Sequence, residues 1–259
     1  MSAAAVRLLL FLLGVAAAAG ALPAAVAAQS DFLFRPPVAA LGVRVGPMMY
    51  SGRGDVFDFI TDSLTLDRSD FRAPTFGAEL VLMPSSRVDF VLGFMWSQTE
   101  ANSEYVNWVE EPQNGDPNDP TDDLPIKQTT RMRTFPVTAT LRYLLLPRGR
   151  RISQLAWLPR RTIPYVGAGG GVTWFLFEQH GDFVDVRDNS IFTDDLETSG
   201  EQATFHGLVG VDHWFTSRLG LNAEARYTYG SAQPNRSFEV YDNLDVGGFQ
   251  ATLGLSFRW

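Results

Sequence analysis

The chain contains no cysteine, so neither a disulfide framework nor a thiolate metal site is open to it. Beyond the first 30 residues it also lacks any apolar run near the roughly 20 residues that a membrane-crossing helix requires. Histidine occurs only at positions 180, 206 and 213, and no set has zinc-ligand spacing. Cations are the minority charge: 21 Lys and Arg stand against 29 Asp and Glu, for a formal net charge of −8. No basic cluster is interleaved with aromatics, which removes a nucleic-acid surface. What is abundant is phenylalanine, with 19 residues, and glycine, with 23. Many aromatics without continuous hydrophobicity imply a wall or core built from strands.

The N-terminal stretch MSAAAVRLLLFLLGVAAAAGALPAAVAAQS follows a secretory plan. One charge, Arg7, precedes an apolar run from Leu8 to Ala19, and small residues then lead to Val26, Ala27 and Ala28 before Gln29. This reads as a signal peptide over 1–28, followed by one domain over 29–259. A single transmembrane anchor is the competing reading, and its apolar core is short for that purpose.

Alternation with period two marks eight segments: 38–50, 73–82, 88–101, 128–146, 164–178, 201–216, 219–231 and 247–259. Each reaches the nine to eleven or so residues that a tilted strand needs to cross hydrocarbon. One face of each is apolar and nearly free of charge. In the first it reads Leu41, Val43, Val45, Pro47, Met49, and in the third Val88, Phe90, Leu92, Phe94, Trp96. The last segment gives Phe249, Ala251, Leu253, Leu255, Phe257, Trp259. The opposite face is small, polar or charged, with Gly167, Gly169, Gly171 and Thr173 typical of it. A soluble antiparallel sheet shows the same period. Bulk decides between them, because glycines and hydroxyls fit the inside of a narrow barrel while Phe, Trp and Leu fit its outside. The expected fold is therefore all-β: an eight-stranded antiparallel transmembrane up-and-down barrel, closed because open edges cannot be left in lipid.

The connections divide into two sets. MPSSR at 83–87 and the turn around Ser217 and Arg218 are short. On the same side, residues 147–164 carry Arg148, Arg150, Arg151, Arg160 and Arg161, and their central ISQLAWL reads either as a short interfacial helix or as an irregular loop with an aromatic anchor. The other connections, 51–72, 102–127, 179–200 and 232–246, are long and acidic, as in EEPQNGDPNDPTDD and GDFVDVRDNSIFTDD. This asymmetry predicts shorter periplasmic connections and long acidic extracellular loops.

Together with the leader, the stretches PYVGAGGG (164–171), LGLNAEARYTYG (219–230) and LGLSFRW (253–259) carry a resemblance. The chain resembles the eight-stranded outer-membrane barrels of Gram-negative bacteria, similar to the outer membrane protein A and outer membrane protein W barrels, over essentially its whole mature length. Trp259 stands where that family more commonly ends in phenylalanine. The resemblance implies residence in the cell outer membrane as a monomer, contact with outer-membrane lipid and lipopolysaccharide, and handling by periplasmic chaperones and the barrel assembly machinery. Leu253, Leu255, Phe257 and Trp259 would form the C-terminal assembly signal. It implies no cofactor and, with the chain ending on its eighth strand, no peptidoglycan-binding domain of the outer membrane protein A type.

The inner face holds charges of both signs: Arg44, Arg142, Arg226 and Arg258 against Glu79, Asp89, Asp212 and Glu224. Paired charges are tolerated where isolated ones are costly, so these eight are expected to form a lumen charge network. It reads as a polar plug or, alternatively, as a narrow or gated solute path. Catalysis would need an activated nucleophile, and the proximity of Glu201, Thr204 and His206 in sequence is weak evidence for one. Asp182, Asp185, Asp188, Asp194 and Asp195 lack the fixed spacing of a calcium loop. The expected function is non-enzymatic: a structural or surface-interaction barrel, with a narrow channel or a transporter of small molecules, hydrophobic ones included, as the alternative and a lipid-modifying enzyme as a remote one.

Overall fold

The computed structural model describes residues 33–110, 123–153, 156–185, 190–239 and 241–259. The signal-peptide segment 1–28 and most of EEPQNGDPNDPTDD lie outside them. In chain order the elements are β1 (Ala39–Tyr50), α1 (Asp55–Ser63), β2 (Arg72–Leu82), β3 (Val88–Glu110) and β4 (Leu124–Leu144). A hairpin of β5 (Gly149–Ser153) and β6 (Ala156–Pro159) follows, then β7 (Thr162–Val184), β8 (Ile191–Trp214) and β9 (Leu219–Tyr229). A two-residue pair, β10 (Ser231–Ala232) and β11 (Leu244–Asp245), precedes β12 (Gly248–Arg258).

Eight strands, β1, β2, β3, β4, β7, β8, β9 and β12, form one closed antiparallel ring. The seam joins β1 to β12 from Ala40↔Arg258 to Tyr50↔Gly248. Register follows hydrophobicity. Leu41, Val43 and Val45 lie opposite Phe257, Leu255 and Leu253, and all six point outward and are exposed. A slip of one residue would turn every one of them inward and bring Arg44 and Arg258 out. The ring is thus inverted relative to a soluble barrel, with bulky apolar residues outside and polar residues within.

The narrow interior needs glycine at close approaches. A Cβ on Gly171, on the inner side of β7, would stand 2.0 Å from the Val137 carbonyl oxygen. Gly171→Val is expected to destabilise the barrel by about 1–3 kcal/mol, the usual cost of overpacking, read as a lower urea midpoint after refolding into lipid vesicles.

Strand lengths depart from expectation. Each alternating segment matches one ring strand, but β3, β4, β7 and β8 run to 23, 21, 23 and 24 residues, against 12 for β1 and 11 for β2, β9 and β12. The described residues of the connections expected at 102–127 and 179–200 are therefore largely strand. Pairing continues through Glu100↔Arg131 and Ser103↔Gln128 in one hairpin, and through His180↔Asp195 and Val184↔Ile191 in the other. Both faces of these extensions carry polar residues, so the apolar alternation that marks the lower wall fades there although the backbone ladder does not. Four adjacent strands consequently rise above the ring's rim as a tall wall.

The connections 51–72 and 232–246 are not open solvated loops. They fold over the mouth of the ring and pack against the inner side of this wall. Val56, Phe57 and Ile60 occupy one stripe of α1 and are fully buried, while Asp55 and Asp58 lie in its first turn, where the helix dipole favours negative charge. Nine residues are too few for a stable isolated helix, so packing holds it: Phe57 meets Phe71 edge-on at 4.9 Å and Phe177 at 6.1 Å, and Phe177 meets Phe238 at 5.4 Å. Leu64, Leu66, Met132, Phe175, Leu244 and Val246 complete this core. At the opposite end the described residues of ISQLAWL, 152–153 and 156–158, are strand and form neither the short helix nor the irregular loop expected there. They contribute to the β5–β6 hairpin, which buries Trp157 and bridges to Leu33.

Candidate functional site

The candidate site is the interior of the ring between these two coverings. At its centre, alternation on β1, β2, β4 and β9 brings Arg44, Glu79, Arg142, Glu224 and Arg226 inward, all of them buried. Arg44 lies 2.7 Å from both Glu79 and Glu224. Arg142 lies 2.6 Å from Glu79 and 3.0 Å from Glu224. Arg226 reaches Glu224 at 3.0 Å. The Tyr165 hydroxyl donates to Glu224 at 3.1 Å, and the Arg142 guanidinium stacks 4.8 Å from the Tyr165 ring centre. Two carboxylates thus serve three guanidiniums, and Glu224 accepts from four side chains.

The remaining sequence-selected charges lie apart from this centre. Asp89 pairs with Arg148, a residue that follows β4 and that the sequence places in an arginine-bearing connection. Arg258 donates through Nε to the Ser217 carbonyl at 2.8 Å and stacks 3.8 Å from the Trp214 ring. Its two terminal nitrogens are buried without a hydrogen-bond partner. Asp212 is partly buried and joins no ion pair within 4.0 Å among the described residues. Tyr165 and Trp214 carried a usable signal, since strand parity puts both on the inner face. Arg148 carried none, because its inward turn depends on how the chain leaves β4.

Above the charges lies a hydroxyl layer. Tyr50, Ser97 and Thr134 bond to one another at 2.6 to 2.8 Å, and Thr173 meets Thr204 at 3.1 Å. A cavity of about 30 Å³ lies among Met48, Met95, Thr138, Arg226 and Gln250, large enough for a water-sized guest. The apolar core on α1 closes over this layer. Burial raises the Tyr241 phenol at the edge of that core above its ordinary value, so it stands there as a neutral ring against Phe59 and Phe238.

The arrangement offers little for catalysis. His206 Nε2 lies 2.8 Å from Thr140 Oγ1, but among the described residues His206 Nδ1 has no hydrogen-bond partner, so none of them supplies the third group that orients a catalytic base. Strand parity separates Glu201, on the outer face, from His206 on the inner. His213 bonds Thr162 at 2.9 Å, and His180 bonds Asp195 on the exposed wall. Among the described residues no three His, Asp or Glu side chains are grouped to hold a metal ion. Asp182 instead accepts from Thr193 at 2.6 Å, and Asp188 lies outside the described residues.

The glycine-rich β7 leaves no gap in the wall. Gly167 to Gly171 are paired without interruption to β4 on one side, from Arg142 to Thr138, and to β8 on the other, from Leu208 to Thr204.

No family model matches the chain, and no curated protein matches it. Among solved structures it is similar to Neisserial surface protein A, at 11% identity over 89% of this chain and 98% of that one, with a TM-score of 0.44. It is also similar to the outer membrane protein OprG from Pseudomonas aeruginosa, at 12% identity over 88% and 99% of the two chains and a TM-score of 0.48. The N-terminal β-barrel domain of Pseudomonas aeruginosa OprF matches at 13% identity over 87% and 100%, with a TM-score of 0.37.

Proposed function

We propose that this chain is a non-enzymatic outer-membrane β-barrel with a sealed lumen, which anchors a folded surface structure outside the cell. The observation that carries this reading is the inverted ring: apolar side chains outward around its circumference, buried charges and hydroxyls inward. Strands of 11 to 12 residues match an apolar band about 25 Å tall once tilted. Aromatics gather where such a band would end. Phe76 and Trp96 lie 4.9 Å apart, Phe135 and Trp174 6.1 Å apart, and Tyr143, Phe257 and Trp259 lie toward the other rim, as in the aromatic girdles of membrane barrels.

The short turns then face the periplasm, and the tall wall with its α1 cap faces outward. The same reading has residues 1–28 directing export, 29–259 forming the barrel, and Leu253, Leu255, Phe257 and Trp259 serving the assembly machinery. The finer likeness to the outer membrane protein A and W barrels, and contact of the wall with lipopolysaccharide, belong to this proposal. Three layers support a sealed lumen: the Arg–Glu centre, the hydroxyls above it and the apolar cap. The continuous pairing of β7 argues against a lateral exit for hydrophobic molecules.

Purified mature protein is expected to fold only with detergent or lipid and to give no steady conductance in planar bilayers. A folded, water-soluble monomer would overturn the membrane reading. Large, reproducible single-channel steps would overturn the sealed lumen alone.

A further inference from the structure

The net charge of −8 conceals a sharp partition. Among the described residues, the segments 33–38, 83–87, 145–153, 156–161 and 213–218 make up the short-turn end of the ring, and none contains an Asp or Glu. Arg35, Arg87, Arg150, Arg151, Arg160 and Arg218 are exposed there, with Arg161 beside them. The carboxylates nearest this end belong to the strands: Asp89, bonded to Arg148, and the partly buried Asp212. At the other end Asp55, Asp58, Asp62, Glu100, Glu104 and Asp195 are exposed.

The arginines do not stand alone. Leu145, Leu146, Ile152, Phe215 and Trp259 are exposed among them, and Arg87 donates to the Tyr143 hydroxyl at 3.3 Å. Two recesses open on this end. One, of about 210 Å³, places Arg160 and Arg161 beside Trp214, Phe215, Thr216 and Ser217. The other, of about 430 Å³, places Arg148 and Arg151 beside Met83, Ser85, Ser86 and Trp157.

We propose that the short-turn end is a binding surface for anionic phospholipid headgroups. The inference rests on the membrane reading above and names the lipid class that this rim takes. Guanidinium forks match phosphate oxygens. Serine and threonine hydroxyls beside them can bond glycerol or ester oxygens, and tryptophan with aliphatic side chains belongs at headgroup depth. Acyl chains then continue along the apolar wall past Leu141 and Phe257. A soluble anion would gain from the charge but not from the apolar surroundings, and among the described residues of these segments no Asp or Glu stands to repel a phosphate. The acidic opposite end provides the contrary field, so the pairing of rim and lipid also orients the barrel.

The test uses the folded mature protein in phosphatidylcholine vesicles containing a small fraction of brominated phosphatidylglycerol or brominated phosphatidylcholine, with quenching of tryptophan fluorescence as the readout. Trp157, Trp214 and Trp259 lie at this end. Wild type is expected to prefer phosphatidylglycerol by at least about five-fold, the equivalent of one arginine's attraction to an anionic surface, and to lose that preference in 1 M NaCl. R150Q/R151Q/R160Q/R161Q should abolish the preference, while the corresponding four-lysine variant should retain most of it. The milder R160Q/R161Q pair stands in if the quadruple variant does not fold. Equal quenching by the two lipids overturns the proposal while leaving the barrel intact. So does loss of the preference on adding inorganic phosphate at the same phosphate concentration, or binding of peptidoglycan with indifference to phosphatidylglycerol. Failure to insert into either vesicle removes the membrane reading itself, and this inference with it.

Discussion

Glu224→Gln is expected to destabilise the barrel by about 3–5 kcal/mol, the cost of removing one partner from a buried ion pair. Glu224 is almost completely buried and accepts from Arg44, Arg142, Arg226 and Tyr165. The amide preserves shape but removes the charge, leaving Arg44 and Arg142 on Glu79 and taking from Arg226 the carboxylate it pairs with. Arg44→Gln is milder by the same geometry, since Arg142 still serves both Glu79 and Glu224. The measurement is the urea midpoint of the protein in lipid vesicles, followed by heat-dependent gel mobility or tryptophan fluorescence. Adding Arg226→Gln to Glu224→Gln should cost less than the sum of the two single changes, with a coupling of roughly 0.5–3 kcal/mol for side chains in direct contact. A Glu224→Gln protein within about 0.5 kcal/mol of wild type, the range of neutral surface changes, would show that the centre is energetically idle.

Phe57→Ala should loosen the other end without loosening the ring. Phe57 is fully buried and touches Phe71 and Phe177, and truncating such a ring costs about 3–5 kcal/mol. Because α1 is too short to persist by itself, that loss falls on the cap. Trypsin should then cleave at Arg53 or Arg68, which flank the helix, in Phe57→Ala and far more slowly in wild type, while the heat-resistant barrel band is unchanged. Equal cleavage of the two proteins would show that the cap is not held by this core. Conductance should stay low in Phe57→Ala, because the Arg–Glu centre lies beneath the cap and does not depend on it. Phe57→Ala combined with Glu224→Gln should conduct where neither single variant does.

The two sites differ in how far they could be read before the fold was known. Alternation named Arg44, Glu79, Arg142, Glu224 and Arg226 as inward residues because period two is a local property of the chain. It could not supply their pairings, since Glu79 and Glu224 are brought to Arg142 from strands remote in sequence. The cap was hidden for a different reason. In 51–72 the apolar residues Val56, Phe57, Ile60, Leu64 and Leu66 are spread among acids, and a short helix gains its stability from a surface that exists only after β4 and β7 have formed. The upper halves of β3, β4, β7 and β8 were hidden because polar residues interrupt both faces, so no continuous apolar stripe announces them.

The sequence by itself determined a β-ring of eight alternating segments, which side of each faces out, and a division of charge between a basic end and an acidic one. Strand parity and composition suffice for those. Only the tertiary structure decided that Arg148 leaves its connection to meet Asp89, that Arg258 rests on Trp214 instead of joining an ion pair, and that two of the long connections fold into a roof. Each depends on where distant segments meet, and that is set by closure of the ring, with β12 returning to β1, which no local pattern encodes.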